Sequence, residues 1–157
     1  VSIGICDLGI GIRKSLSAFW HPSDDLDAIK LALTPGITGT TKNEGGTAEN
    51  AGAGLFFIKS IAKTTRNYFV IYSGTAEYTL LKHRSDIKGM PKLQADPDKD
   101  NHNETKNAPY FQGTLVAVDI SLNETPEFNT LLSNIGEVYD KAIRDRKQAK
   151  YRQPRFI

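Results

Sequence analysis

The segment VSIGICDLGIGI, residues 1–12, decides the fold. Its first six residues are apolar and rich in β-branched side chains, which predicts a buried strand. The strand ends at Asp7, and Gly9 and Gly11 then allow a tight turn and a close approach of the backbone to a flat ligand. Because a buried carboxylate needs a hydrogen-bond partner, Asp7 either caps this turn or accepts a hydrogen bond from a ligand amine. The residues alone leave both possibilities open.

Helical patterns dominate the first half of the chain. Residues 12–20 fit a short helix, and Ser23 followed by acidic residues predicts the start of a second helix over residues 24–33. The segment LFFIKSIAK, residues 55–63, is apolar nearly all round. This pattern is typical of a helix buried between other elements.

Strand patterns dominate the second half. Residues 67–73 and 77–83 are strand-like, and Gly74 with Thr75 between them predicts a hairpin. Residues 114–122 predict a further strand. Helices early and strands late indicate the α+β class, and we expect a two-layer α/β sandwich with a mixed, mostly antiparallel sheet and helices on one face.

Two long segments lack a pattern that could form a core. Residues 39–54 hold five glycines in sixteen residues and no large apolar side chain, which predicts a mobile surface loop. Residues 84–112 are polar and predict a long exposed connection. Within it, Asp96, Asp98 and Asp100 alternate as in a calcium loop, but its glycine and its final glutamate are missing, so we interpret them as solvated.

The C-terminal residues 126–157 predict an amphipathic helix with a basic tail. Thr125 and Pro126 are a favourable cap and first helical position. Cations at a helix C-terminus are stabilised by the helix dipole, which explains the basic tail as a solvated helix end. A nucleic-acid partner is therefore disfavoured.

Composition limits the class of protein. The chain has 157 residues, 39% hydrophobic and 24% charged, as expected for one globular domain. No apolar run is long enough to cross a bilayer. The single cysteine, Cys6, is expected to be packed in its strand, and one cysteine forms no internal disulfide, which favours a cytoplasmic setting. The chain opens at Val1 inside an apolar run and its only methionine is Met90, so we expect a piece of a longer protein.

Three glycine-bearing motifs, taken in order, resemble the GHKL superfamily of ATP-binding domains. They are DLGIGI at residues 7–12, the glycine-rich loop ending in GAGLFFIK at 52–59, and GTLVAVDI at 113–120. The pair Ser73-Gly74 after a strand is most similar to the histidine-kinase branch. The resemblance covers roughly residues 1–122. It implies an ATP-binding domain over residues 1–125 with a Bergerat fold, N-terminally incomplete, that binds ATP or ADP under a lid formed by residues 39–54.

The resemblance implies roles for residues at the base end of such a site. Asp7 matches the aspartate that binds the adenine amine, directly and through water. Thr114 matches a threonine that joins this water network. Gly9 and Gly11 match glycines that make room for the base, and Ile12 matches an apolar wall beside it.

At the phosphate end, the resemblance implies that Gly52 and Gly54 lie against the phosphates and that Leu55 starts the following helix. Residues 40–42 (TTK) lie in the lid, where no motif fixes their role. The family ligates Mg²⁺ through an asparagine on a helix that precedes DLGIGI, so a Mg²⁺ ligand is expected upstream of Val1. This chain alone is then expected to bind nucleotide weakly and to lack turnover, and no catalytic residue is assigned.

Departures from the family pattern leave alternatives open. Leu8 stands where the family usually has asparagine, and Ala53 replaces a frequent leucine. The parent protein is expected to be an ATPase or a kinase. The alternatives are a nucleotide sensor or protein-interaction module of the same fold without turnover, and a plain interaction domain with coincidental glycines. The expected partners are the nucleotide and either another protein or an upstream domain.

Overall fold

The structure is a computed structural model that describes residues 1–47, 51–82, 91–120 and 128–151. Along the chain the elements are β1 (Ser2–Asp7), α1 (Gly11–Ser17), α2 (Asp25–Leu33), α3 (Gly54–Thr64), β2 (Phe69–Gly74), β3 (Ala76–Leu80), β4 (His102–Thr105), β5 (Phe111–Asp119) and α4 (Phe128–Tyr151), with a short 3₁₀ turn at Pro97–Lys99. After β1, three helices precede the other four described strands. The predicted α+β class is confirmed.

The five described strands form one sheet in the order β1-β5-β2-β3-β4. Each of the four pairings is antiparallel, so the mostly antiparallel sheet is confirmed and its expected mixed character is not observed in the described strands. The predicted hairpin at Gly74 and Thr75 is present, since Ser73 pairs with Ala76. The first strand lies beside the last, which brings Asp7 opposite Thr114.

Alternating burial along β2 and β3 identifies the covered face of the sheet. Phe69, Ile71 and Tyr78 are fully buried and belong to the main core, together with residues of α1 and α2 such as Leu26 and Ile29. The residues between them in sequence are less buried. This arrangement is compatible with the expected two-layer sandwich. Helix α4 packs on α3 in a second, smaller core.

The prediction that β1 is buried is wrong. All six of its residues are exposed, and the Ile5 side chain is 65% accessible although it lies in one row with Val116 and the buried Ile71. Strand β1 is exposed because it lies at the edge of the sheet and the described helices pack over β2, β3 and β5. Cys6 is exposed for the same reason, and its expected packing is also wrong.

The polar segment 84–112 is not one long connection. Its described part contains β4, which pairs with β3, and the buried Asp100. The sequence HNET of β4 lacks apolar alternation because an edge strand can face solvent. The interpretation of Asp100 as solvated is therefore wrong.

Helix boundaries follow local capping. Helix α2 begins one residue later than predicted, since the Asp24 carboxylate, not Ser23, accepts a hydrogen bond from the Asp27 amide at 2.8 Å. The predicted start of the last helix at Thr125 and Pro126 lies outside the described residues. None of the helices in the described ranges is both long and apolar enough to span a membrane.

Candidate functional site

A cavity of about 810 Å³ lies between the end of β1, helix α1, the glycine-rich loop and the first turn of α3. The eight residues that the sequence singled out all line it: Asp7, Gly9, Gly11, Ile12, Gly52, Gly54, Leu55 and Thr114. They come from separate stretches of the chain. The antiparallel pairing of β1 with β5 brings the two most distant of them, Asp7 and Thr114, into direct register.

One end of the cavity is built around Asp7, the last residue of β1. The amide of Gly9 donates a hydrogen bond to Asp7 Oδ1 at 2.8 Å, which folds the turn back on the carboxylate. This bond engages one of the two carboxylate oxygens. Asp7 is exposed, lines the cavity and pairs in register with Thr114 on β5. Asp7 therefore caps its own turn and still presents an acceptor to the cavity.

The buried Ser73 fixes the geometry behind this turn. Its Oγ accepts from the Ile12 amide at 3.1 Å and donates to the Gly113 carbonyl at 2.7 Å. Gly113 has φ +103°, and a Cβ at this position would overlap the carbonyl oxygen of Asp7. The start of α1 and strands β1, β2 and β5 are thus held together at one point. In the sequence, Ser73 stands out only through a resemblance, and no local pattern indicates this positioning role.

The N-terminus of α3 forms another part of the cavity wall. The cap residue Ala53 offers no side-chain hydrogen bond, and the first turn holds no acidic residue. A methyl group at Gly54 would have no described atom within 4 Å, so space is open at the first helical position. Gly52 is fixed differently, because its φ is +66° and a Cβ there would overlap the Ile37 carbonyl.

The glycine-rich loop supplies a side wall. The Trp20 indole N–H donates to the Thr38 carbonyl at 2.8 Å, and Gly39 packs directly against Ser15 of α1. Ile37, Thr38 and Ser15 also line the cavity, but they belong to no motif, so no local pattern in the sequence marks them. The lid residues 40–42 are not part of the described cavity wall.

The charge of the wall limits its chemistry. Among the described lining residues Asp7 is the only carboxylate, and none is a histidine, cysteine, lysine or arginine. Such a wall offers backbone amides, hydroxyl groups and one carboxylate for binding. Apart from Asp7, it contains no described side chain suited to act as a general base.

A second polar cluster lies further along α3. Lys59 Nζ donates to Asp100 Oδ2 at 2.5 Å and to the Gln94 carbonyl at 3.3 Å, and Lys63 pairs with the other oxygen of Asp100. Burial lowers the pKa of Lys59, and the charge of Asp100 opposes this shift. Burial also disfavours the charged form of Tyr78, which raises its pKa. The Tyr78 hydroxyl donates to the Pro97 carbonyl. These groups satisfy one another, so the cluster is structural.

Asp98, His102 and Glu104 form a third group whose potential ligand atoms lie within 4.8 Å of one another. Lys30 Nζ lies 2.6 Å from both Asp98 Oδ1 and Glu104 Oε2. The hydrogen bond from Lys30 is the main cause of the lowered pKa of Glu104. The Lys30 ammonium already contacts both carboxylates, so the group is an ion-pair cluster.

Comparison with known proteins does not assign this site to a family. No protein-family model matches the chain, and a search of curated proteins finds no match. The interpretation of the cavity therefore depends on its own residues and on the motifs that led to it.

Proposed function

We propose that the chain is an adenine-nucleotide-binding domain of the histidine kinase-like ATPase type, with a Bergerat fold. The observation that supports this proposal most strongly is the position of the eight residues chosen from sequence motifs, which line one cavity. A coincidental set of glycines would have no reason to converge. ATP and ADP are the proposed ligands.

The size and chemistry of the cavity fit a nucleotide. Its volume of about 810 Å³ lies within the roughly 300–1,000 Å³ of small-molecule sites. The carboxylate of Asp7 can accept a hydrogen bond from the exocyclic amine of adenine, with Thr114 beside it. Ile12 provides an apolar wall for the base.

The phosphates fit the opposite end of the cavity. A helix N-terminus carries partial positive charge and unpaired amide N–H groups, which bind anions. At α3 the cap residue makes no side-chain hydrogen bond that would compete with a phosphate. Gly54 adds space where a side chain would otherwise project.

Magnesium does not fit the described wall. Mg²⁺ requires octahedral oxygen ligands and is usually held by one or two carboxylates in addition to phosphates. Here the described wall offers a single carboxylate, Asp7, and one of its two oxygens already accepts the Gly9 amide. The proposed function is therefore nucleotide binding, and no phosphoryl-transfer step is assigned to these residues.

A second candidate function is a nucleotide sensor or interaction module of the same fold without turnover. Two observations favour it. Asp7, which the proposed adenine contact occupies, is the only possible general base on the described wall, and Leu8 is 73% exposed where the family usually has an asparagine. Both candidates share the same binding site. They differ in whether nucleotide is hydrolysed, which an ATPase assay on a longer chain would decide.

Calorimetric titration of the 157-residue protein with ADP and ATP, in the presence of EDTA, tests the binding proposal. Asp7→Asn is expected to weaken binding about tenfold, because a neutral amide oxygen replaces the charged acceptor of the adenine amine. Asp119→Asn, at the far end of the β1–β5 pair from the cavity, serves as the matched control and should bind as the wild type does. Absence of binding by the wild type, or equal affinity of the Asp7→Asn variant, would overturn the proposal.

A further inference from the structure

Helix α4 is anchored on the same helix that closes the phosphate end of the cavity. Leu131 and Ile135 are fully buried against Phe56 of α3. Because these three side chains form a core of their own, the first turns of α4 are fixed relative to the first turns of α3. The remainder of α4 then runs past the glycine-rich loop.

Tyr139 makes the first contact between α4 and the loop. Its hydroxyl donates to the Ala51 carbonyl at 2.6 Å, and Ala51 lines the cavity. The Tyr139 ring lies 6.2 Å from the Phe56 ring and 6.0 Å from the Phe57 ring, measured between centroids. The ring is therefore held on α3 while its hydroxyl holds the end of the loop.

Arg146 makes a second contact, with Glu44 in the glycine-rich loop and with Pro35, which precedes the loop. Its Nε donates to Glu44 Oε2 at 2.7 Å, and its second guanidinium nitrogen donates to the Pro35 carbonyl. Both charged side chains are largely shielded, with 29% of Arg146 and 18% of Glu44 accessible. A planar guanidinium suits this arrangement because it presents several donors in fixed directions.

Ile143 makes a third contact, which is apolar. A methyl group at Gly36 would come within 3.0 Å of Ile143 Cδ1, and one at Gly45 within 3.5 Å of Ile143 Cγ2. The Gly45 amide donates to the Gly36 carbonyl at 3.1 Å, so the two sides of the loop are joined where Ile143 presses on them. Small residues here allow the helix to approach closely.

The three contacts lie on one face of α4, because residues 139, 143 and 146 are spaced four and three apart. They hold Ala51, which lines the cavity, and two segments, residues 35–36 and 44–45, on either side of the lining residues 37–39. We propose that α4 is a latch that holds the described part of the glycine-rich loop in place and thereby limits the rate at which nucleotide leaves the cavity. The effect on nucleotide rests on the proposed function.

Two substitutions release the latch without disturbing the anchor on α3. Tyr139→Phe removes only the hydroxyl, and Arg146→Gln removes the charge and the fork of donors. The matched controls are Tyr72→Phe, whose hydroxyl donates to the Pro109 carbonyl away from the cavity, and Arg144→Gln, an exposed position on the same helix.

Amide hydrogen exchange without nucleotide measures the latch itself. In the Tyr139→Phe and Arg146→Gln variants, exchange of the amides of Gly36, Gly45 and Gly46 is expected to rise about three- to tenfold, since each variant loses one or two hydrogen bonds to the loop. The control variants should exchange as the wild type does. Glu44→Gln should have an effect that does not add to that of Arg146→Gln, because both remove one pair.

Stopped-flow dissociation of a fluorescent ADP analogue measures the consequence for the site. We expect the same two variants to release the analogue about three- to tenfold faster than the wild type and the controls. If the wild type binds ADP but its release is unchanged in both variants, the latch is wrong and the binding site stands. If the wild type binds no ADP, the proposed function fails and the control of release fails with it.

Discussion

Helix α3 has eleven residues, and its two halves present their polar groups in different surroundings. In the first turn, Gly54 and Leu55 line an open cavity. The cap residue, Ala53, makes no side-chain hydrogen bond to the amides of this turn. In the second half, Lys59 and Lys63 are enclosed and paired with the buried Asp100. One helix thus carries an open polar site at its start and a fully paired polar site near its end.

The difference distinguishes polar groups that stabilise the fold from polar groups that are available to bind a ligand. A buried charge is tolerated in a folded protein only where partners satisfy it, and the Lys59–Asp100–Lys63 cluster meets this condition internally. Uncapped amides beside a cavity are satisfied by water or by a ligand. We therefore expect substitutions in the cluster to change the free energy of unfolding, and substitutions at the first turn to change ligand affinity.

The largest effect is expected at Asp100. Asp100→Asn leaves two lysine ammonium groups without their carboxylate, which should lower the free energy of unfolding by about 3–5 kcal/mol. Asp98→Asn, an exposed partner of Lys30, should cost less than about 1 kcal/mol. Urea unfolding followed by circular dichroism measures both. Similar losses in the two variants would contradict the contrast between the cluster and the surface.

The next largest effect is expected at Gly52, which belongs to the cavity but is structurally constrained. Gly52→Ala should lower the free energy of unfolding by about 1–3 kcal/mol, because the residue has positive φ and its Cβ would overlap Ile37. Gly136→Ala on α4, with open space around it, should instead be neutral or stabilising. Thermal unfolding compares the two. If Gly52→Ala left the free energy of unfolding unchanged, Gly52 would not be structurally constrained and its role would be limited to binding.

Gly54 should separate affinity from stability most cleanly. Gly54→Ala meets no described atom within 4 Å and favours helix, so stability should be unchanged or higher by up to about 1 kcal/mol. The added methyl occupies space at the proposed phosphate end, so ADP affinity should fall about tenfold, or about 1.4 kcal/mol. Adenosine affinity should be unchanged. Equal losses for ADP and adenosine would argue against phosphates at α3.

The smallest effect concerns the cap that α2 has and α3 lacks. The Asp27 amide is the main cause of the lowered pKa of Asp24, whose ordinary value is 3.8. A lowered folded pKa means that the carboxylate stabilises the protein above about pH 4 and that this contribution disappears as the pH falls through the folded value.

Asp24→Asn keeps a cap oxygen but cannot titrate. The stability advantage of the wild type over this variant should be below about 1 kcal/mol at pH 6, because the side chain is partly exposed, and should be smaller at pH 3. Urea unfolding at the two pH values measures the difference. An advantage of the same size at both pH values would show that the carboxylate charge does not contribute.

The elements with strong local signals were predictable from sequence. The apolar run of α3, the glycine-threonine turn of the β2–β3 hairpin and the apolar pattern of β5 each carry their own signal. The pairing of β1 with β5 places Asp7 beside Thr114, and the order of the glycine motifs had already grouped these two residues. Whether they bind a nucleotide stays a prediction.

The remaining features depend on tertiary position, which a local pattern does not contain. Strand β1 has the composition of a buried strand, yet Ile5 is exposed because the strand lies at the sheet edge. Strand β4 is polar, and Asp100 resembles its solvated neighbours until Lys59 is brought against it. The contacts from Tyr139 and Arg146 to the loop join residues 88 and 102 positions apart, and no spacing in the sequence connects them.

The most direct test of the nucleotide site records which cavity residues respond to the nucleoside and which respond to the phosphates. Backbone amide shifts of the ¹⁵N-labelled protein would be recorded with adenosine, with inorganic triphosphate and with ADP. We predict that adenosine moves the Gly9 and Gly11 amides, that triphosphate moves Gly54 and Leu55, and that ADP moves both pairs. Shifts confined to residues outside the cavity, or none with ADP, would contradict the central claim that this cavity binds an adenine nucleotide.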